Sequence, residues 1–268
     1  MDVWAAGNLY EPFVGRWSRR VAREFLVWLS IPTGRDWLDV GCGTGALTQT
    51  ILDLAEPRSV SAVDPSPGFV EYARAHVMDA RVGAPGARAT FAVGDAQSLA
   101  TATGTIDAAI SGLVLNFVPE PARGVAEMAR ATRSGGQVAA YVWDYAGRME
   151  LLRVFWDAAA ELDPTALALD EGRRFPICQP QALTELFAEA GLQSVEVRPI
   201  DVATDFRDFD ELWSPFLGGQ GPAPGYAMSL DEARRSALRD RIRAKLPVAG
   251  DGAIHLVARA WAVRGRRV

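Results

Sequence analysis

Nine residues constrain this chain more than any other stretch: Trp37-Leu38-Asp39-Val40-Gly41-Cys42-Gly43-Thr44-Gly45. The first four read as a short apolar strand running into a turn of alternating glycines, and Ala46 to Leu54 can continue as a helix. Such a unit brings backbone N–H groups and a helix N-terminus beside a ligand, and glycine alone lets the backbone approach that closely. Asp39 adds a second constraint. A carboxylate in an apolar strand is costly to bury without a partner, so a cationic or hydrogen-bond-donating ligand group is expected nearby. Gly41-x-Gly43-x-x-Ala46 also fits the dinucleotide fingerprint, and the glycines alone do not separate the two readings.

The alternation of strand and helix continues downstream. Ser59 to Asp64 reads as a second strand, and Asp64 follows Gly45 by 19 positions, the separation expected of an acid that grips a ribose. A carboxylate can accept both ribose hydroxyls at once. Pro65-Ser66-Pro67-Gly68 turns into a helix over Phe69 to Val77. Ala89 to Val93 is a third strand ending in Gly94-Asp95-Ala96-Gln97, and Ile106 to Ser111 a fourth that continues as Gly112-Leu113-Val114-Leu115-Asn116-Phe117. A helix over Ala122 to Thr132 closes at Arg133-Ser134-Gly135-Gly136, read as a glycine stop, before a fifth strand from Gln137 to Asp144.

Together these motifs resemble the class I S-adenosylmethionine-dependent methyltransferases, whose first motif has the form hydrophobic-x-Asp-x-Gly-x-Gly-x-Gly. Asp39 and Gly45 favour this family over the dinucleotide pattern, and the likeness covers roughly residues 10–144. It resembles most the small-molecule branch typified by ubiquinone and menaquinone biosynthesis. The resemblance implies an α/β fold with a doubly wound, mostly parallel seven-stranded sheet of order 3-2-1-4-5-7-6, the last strand antiparallel, and a helical lid. It implies S-adenosylmethionine as cofactor, leaving as S-adenosylhomocysteine. Asp39, Gly41, Cys42, Gly43, Thr44 and Gly45 would border the cofactor, Asp64 and Pro65 its ribose, and Asp95, Ala96 and Gln97 its adenine. Ser111 would lie near the sulfonium, with Tyr10 and Arg16 folding over the top.

The chain is expected to form one domain over residues 1–268. Residues 30–144 would be the cofactor-binding core, and 1–29, 145–180 and 205–250 the lid or acceptor-binding elements. Trp17, Phe117, Trp143, Tyr145, Trp156, Trp213 and Phe216 are the candidate acceptor-binding residues, though aromatics at helical spacing equally suit a core. Arg173 and Arg174 could meet an acidic group, and the glycine-proline stretch 218–225 reads as a loop hinge. No catalytic base stands out. Asp144, at the end of the fifth strand, either meets ligand or caps the next helix, and His255 is a weaker candidate whose default place is the core.

Composition narrows the partners. A net charge of −5 argues against a nucleic-acid backbone, and two cysteines, Cys42 and Cys178, provide neither a disulfide framework nor a metal cluster. No metal is expected. The start Met1-Asp2-Val3-Trp4 lacks a signal-peptide pattern, and no apolar run approaches the roughly 20 residues of a membrane span. The expectation is a cytoplasmic monomer or homodimer acting on a small molecule. Two alternatives stay open: a dinucleotide-dependent oxidoreductase, and a protein of the same fold that binds the cofactor without transferring methyl.

Overall fold

The computed structural model describes residues 16–78, 88–218, 221–247 and 249–268. Helix α1 (Arg16–Leu29) leads into β1 (Asp36–Val40), α2 (Ala46–Leu54), β2 (Ser59–Asp64), α3 (Pro67–His76), β3 (Ala89–Val93) and β4 (Ile106–Gly112). Then come α4 (Pro121–Ala131), β5 (Thr132–Trp143), α5 (Glu150–Leu162), α6 (Glu171–Arg174), α7 (Pro180–Glu189) and β6 (Gln193–Phe206). Helices α8 (Phe209–Trp213), α9 (Pro222–Ser229) and α10 (Glu232–Lys245) precede β7 (Ile254–Arg266). The seven strands form one sheet of order β3-β2-β1-β4-β5-β7-β6, mostly parallel with β7 antiparallel.

The chain divides into two compact units. The core unit comprises residues 18–142, 179–200 and 261–268. Here β1 pairs in parallel with β2 and β4, aligning Asp39 with Ala62 and with Ile110. The central strands are apolar because helices cover both faces of a parallel sheet, and Leu38, Val40, Ala108, Ala109 and Ile110 are all buried. On the rim where β1 and β4 begin, buried Asp107 pairs with Arg35, Arg58 and Arg133 and accepts from the Asp36 N–H at 2.9 Å. That cluster ties the strand starts together at the edge opposite the glycine turn.

The second unit comprises the described residues among 1–17, 143–178 and 201–260. Phe155 is its centre, stacked on Phe216 at 4.7 Å and edge-on to Trp156 at 5.0 Å. Trp17 packs edge-on against Phe206.

Two sequence expectations change. The residues Arg133–Gly136 do not separate α4 from β5, because Thr132 already pairs with Ile106 and the strand absorbs the glycines through an irregularity in register. Gly135 takes φ +77 there, a bend that glycine tolerates within a strand. The stretch 218–225 is not wholly a loop: Gly221 at φ 88 is followed by Pro222, which starts α9 with its fixed φ and missing N–H.

Candidate functional site

The glycine turn leaves β1 at the point where the sheet reverses its winding. Gly41, Gly43 and Gly45 all have positive φ, which explains glycine at each. Packing adds a second reason at two of them. A Cβ on Gly41 would lie 2.6 Å from Val114 Cγ2 and 2.9 Å from Val114 Cβ, and one on Gly45 would lie 2.5 Å from Val77 Cγ2. Gly43 differs, because a Cβ there would meet nothing within 4 Å. The turn is therefore wedged against its own protein at both ends and open in the middle.

Its N–H groups are not the free donors that the sequence suggested. Gly41 and Cys42 both donate to the Val63 carbonyl, at 2.8 and 3.0 Å, and Gly45 donates to Cys42 O at 2.8 Å. Gly43 N–H donates to Asp64 Oδ2 at 2.9 Å. These bonds spend the groups that a phosphate would need.

Two carboxylates face this turn. Asp39, 1% exposed, accepts from Thr48 Oγ1 at 2.6 Å through Oδ2, while its buried Oδ1 has no hydrogen-bond partner. Burial pushes its carboxyl up to about 7, the Thr48 bond opposes this, and the charge of Asp64 adds to it. Asp64 accepts from Gly43 N–H and, through Oδ1, from Ser66 N–H at 2.9 Å. Burial raises its carboxyl too, against those two bonds. Each Asp64 oxygen keeps a second lone pair for a ligand hydroxyl. Cys42 is buried beside both acids, which with desolvation raise its thiol out of the reactive range.

The other expected cofactor residues occupy the same rim. Asp95 is exposed and accepts from Gln97 N–H at 2.9 Å, a bond that holds its carboxyl below the usual range. Gln97 Oε1 in turn accepts from Glu120 N–H at 3.0 Å. Ala96 lies between them, and Pro65 is exposed at the turn after β2. Ser111 is buried at the end of β4 and donates to the Val40 carbonyl at 2.8 Å, joining β4 to β1 at the switch point. Thr44 is half-buried in the turn. Tyr10 lies outside the described residues, and Arg16 opens α1 with its side chain likewise outside them.

The expected acceptor-binding aromatics are mostly interior. Trp156 and Phe216 are fully buried around Phe155, and Trp17, Trp143, Tyr145 and Trp213 are buried as well. Phe117 is the exception, 40% exposed in the single helical turn Leu115–Phe117 after β4. Both candidate bases are engaged. Asp144 accepts from Gly147 N–H through Oδ1 and from Arg148 N–H through Oδ2, each at 3.0 Å, so it caps the turn after β5. His255 is not a core histidine: its side chain is 65% exposed, with Nδ1 2.8 Å from Asp205 Oδ1. Arg173 and Arg174 lie in the short helix α6.

Three groups gain roles that sequence reasoning did not assign. Thr48, in the first turn of α2, is bonded to Asp39; Asn116, read only as part of the segment after β4, carries a buried Nδ2 without a partner; and Glu171 is buried in the second unit. Glu171 Oε2 accepts from Trp156 Nε1 at 2.5 Å, and burial pushes its carboxyl up to about 7. No periodicity marks any of the three, because each depends on elements brought together only by the fold.

A doubly wound sheet of this order, a glycine turn after β1 and an acid closing β2 define the class I S-adenosylmethionine-dependent methyltransferase fold. Residues 38–140 match the family model of the methyltransferase domain, and that match together with solved neighbours holding S-adenosylmethionine or S-adenosylhomocysteine supports S-adenosylmethionine as the cofactor. Over 135 residues it is 34% identical to the malonyl-acyl-carrier-protein O-methyltransferase of Hahella chejuensis, covering 50% of this chain and 45% of that protein. Over 102 residues it is 32% identical to the ubiquinone biosynthesis O-methyltransferase of Xanthomonas oryzae pv. oryzae, covering 38% of this chain and 40% of that one. The chain thus spans less than half the length of these curated relatives. Among solved structures, Haemonchus contortus phosphoethanolamine N-methyltransferase 2 superposes with TM-score 0.58 at 15% identity, over 92% of this chain and 52% of that one, a likeness of fold.

The residues fit the cofactor. The unpartnered Oδ1 of Asp39 and the neighbouring Asp64 make the rim electronegative, which suits a ligand bearing a sulfonium and an ammonium. The same two acids and the spent N–H groups disfavour a pyrophosphate. Among the described residues, no helix is long and apolar enough to cross a membrane.

Proposed function

We propose that this chain transfers a methyl group from S-adenosylmethionine to a small, apolar or aromatic molecule by in-line displacement. The observation that carries the reading is the turn itself: two buried acids face it, four of its N–H groups are already bonded, and Gly43 is open. When bound, the cofactor supplies an electrophilic methyl on a sulfonium. The protein's part is then to hold, align and exclude water. In this reading Asp39 faces cofactor cation, Asp64 accepts from the ribose hydroxyls, and Asp95 accepts from the adenine amine.

The acceptor class draws on three observations. The net charge of −5 disfavours a nucleic-acid backbone. The similar curated proteins include a ubiquinone biosynthesis O-methyltransferase and a methyltransferase named for a hydroquinone, 2-methyl-6-phytyl-1,4-hydroquinone, which supports an aromatic acceptor. Asp144 caps a turn and His255 is held at the surface by Asp205, which favours an acceptor that enters already ionised, a phenol or a carboxylic acid, over one needing a base.

The test uses methyl-labelled S-adenosylmethionine, the purified protein and an extract of the source organism, separated afterwards into organic-soluble, protein and nucleic-acid fractions. Label is expected in the organic-soluble fraction. Label in a macromolecular fraction, or in none, would overturn the proposal.

A further inference from the structure

Ligands of open α/β sheets bind where neighbouring strands send their connections to opposite sides, which in the order 3-2-1-4-5 is between β1 and β4. Two turns flank that crevice. One is the glycine turn after β1; the other is Leu113–Phe117 after β4, and they touch through Gly41 and Val114. The second turn has two unusual features. Leu113 adopts φ +61, a left-handed conformation costly for a branched-chain residue, and its N–H is pinned to the Tyr141 carbonyl at 2.7 Å. Three residues on, Asn116 Nδ2 is buried with no hydrogen-bond acceptor.

Strain and an unpaired buried donor in one short turn are both unfavourable, and no internal bond offsets the second. The opposite turn shows the complementary feature, the unpaired buried acceptor Asp39 Oδ1. The expected cofactor contacts Asp39, Asp64 and Asp95 lie on β1, at the end of β2 and just after β3, so the cofactor is assigned to that half of the sheet. Asn116 stands across the switch point, after β4, on the half that remains for the acceptor.

We propose that the Asn116 side-chain amide donates to an oxygen of the methyl acceptor and thereby seats it against the cofactor's methyl group. The acceptor class is a molecule with a phenolate, carboxylate or carbonyl oxygen. This inference rests on the reading given under Proposed function. It makes Asn116 a selectivity residue: it rewards an oxygen acceptor and leaves an ammonium-bearing one without a partner.

The test compares Asn116→Leu, which removes the donor at similar volume, with Asn116→Asp, which puts an acceptor of the same shape in its place. Each is measured by labelled methyl transfer to the extract's organic-soluble fraction, by calorimetric titration with S-adenosylhomocysteine and by thermal melting. Transfer is expected to fall by about tenfold or more in both variants, the scale of a lost bond to a charged oxygen. Affinity for S-adenosylhomocysteine is expected to stay at the wild-type value in both variants, and the melting temperature of Asn116→Leu, which loses an unpaired buried donor, to be no lower than that of wild type. Wild-type transfer by either variant would overturn the role of Asn116 while leaving methyl transfer standing. So would a loss of S-adenosylhomocysteine affinity matching the loss of transfer, because Asn116 would then serve the cofactor or the fold. Absence of transfer by the wild type would remove the underlying reading instead, and this one with it.

Discussion

Asp39→Asn tests the electrostatics of the glycine turn. Burial carries the Asp39 carboxyl from 3.8 to about 7, so between those values the folded protein holds a proton that the unfolded chain has released. Stability linked to this group is therefore greatest near pH 4 and falls as pH rises through 7. At pH 8 the ionised carboxylate costs the fold on the order of 4 kcal/mol, and full burial means that solvent screening offsets little of it. Asparagine removes that charge but places an amide where Oδ1 has no partner, costing about 1–3 kcal/mol. The net expectation is that Asp39→Asn is more stable than wild type by roughly 1–3 kcal/mol at pH 8 and no more stable at pH 5. Urea denaturation of both proteins from pH 5 to 8.5 measures the difference, because every other group contributes equally to the two curves. Parallel curves would refute the reasoning. The same charge should bind cofactor cation, so the variant that gains stability is expected to lose affinity for S-adenosylmethionine. Binding to wild type at pH 7 should release roughly half a proton as the cation draws Asp39 into its ionised form, read from calorimetry in buffers of different ionisation enthalpy.

Three further outcomes rest on the same geometry. Asp64→Ala removes the acceptor for Gly43 and Ser66 N–H and for the ribose, and should weaken S-adenosylhomocysteine binding by ~1.5–3 kcal/mol; unchanged calorimetric affinity would sink the assignment. Gly41→Ala forces a Cβ onto Val114 at φ +79 and should cost about 2–5 kcal/mol in urea denaturation, an effect that an unaltered midpoint would disprove. Glu171→Gln keeps an acceptor for Trp156 Nε1 and removes a carboxyl pushed up to about 7, so its melting temperature should rise relative to wild type between pH 5.5 and 8; a constant offset would count against that ionisation.

The sheet was legible because its strands carry their own punctuation. Asp39 and Gly41 mark the end of β1, Asp64 and Pro65 the end of β2, and Gly94 the end of β3, all close to the observed limits. Glycine misled where it serves inside an element: Gly135 and Gly136 read as a stop yet lie within β5, where the register shift lets the chain keep pairing. At 221–225 glycine and proline composition concealed a helix start. Within the site, residue types came through better than their duties. The glycines were expected to expose N–H groups, and instead Val63 O, Cys42 O and Asp64 occupy all three of theirs and that of Cys42. Those partners sit on β2 and in the turn itself, and pairing across strands has no signature in a linear sequence. The aromatics show the same limit, since helical spacing gives the face of Phe155 and Trp156 but not whether that face meets a ligand or Phe216. Asn116 was legible only as one member of the segment after β4 whose resemblance implies a place beside the sulfonium and the acceptor; its missing partner appears only in the fold.

The most direct measurement is a pair of calorimetric titrations of the purified wild-type chain, one with S-adenosylhomocysteine and one with NAD. The two acids and spent N–H groups of the turn require saturable binding of S-adenosylhomocysteine that Asp64→Ala weakens, and no heat from NAD. Binding of NAD, with none of S-adenosylhomocysteine, would contradict the assignment of this turn to a sulfonium cofactor.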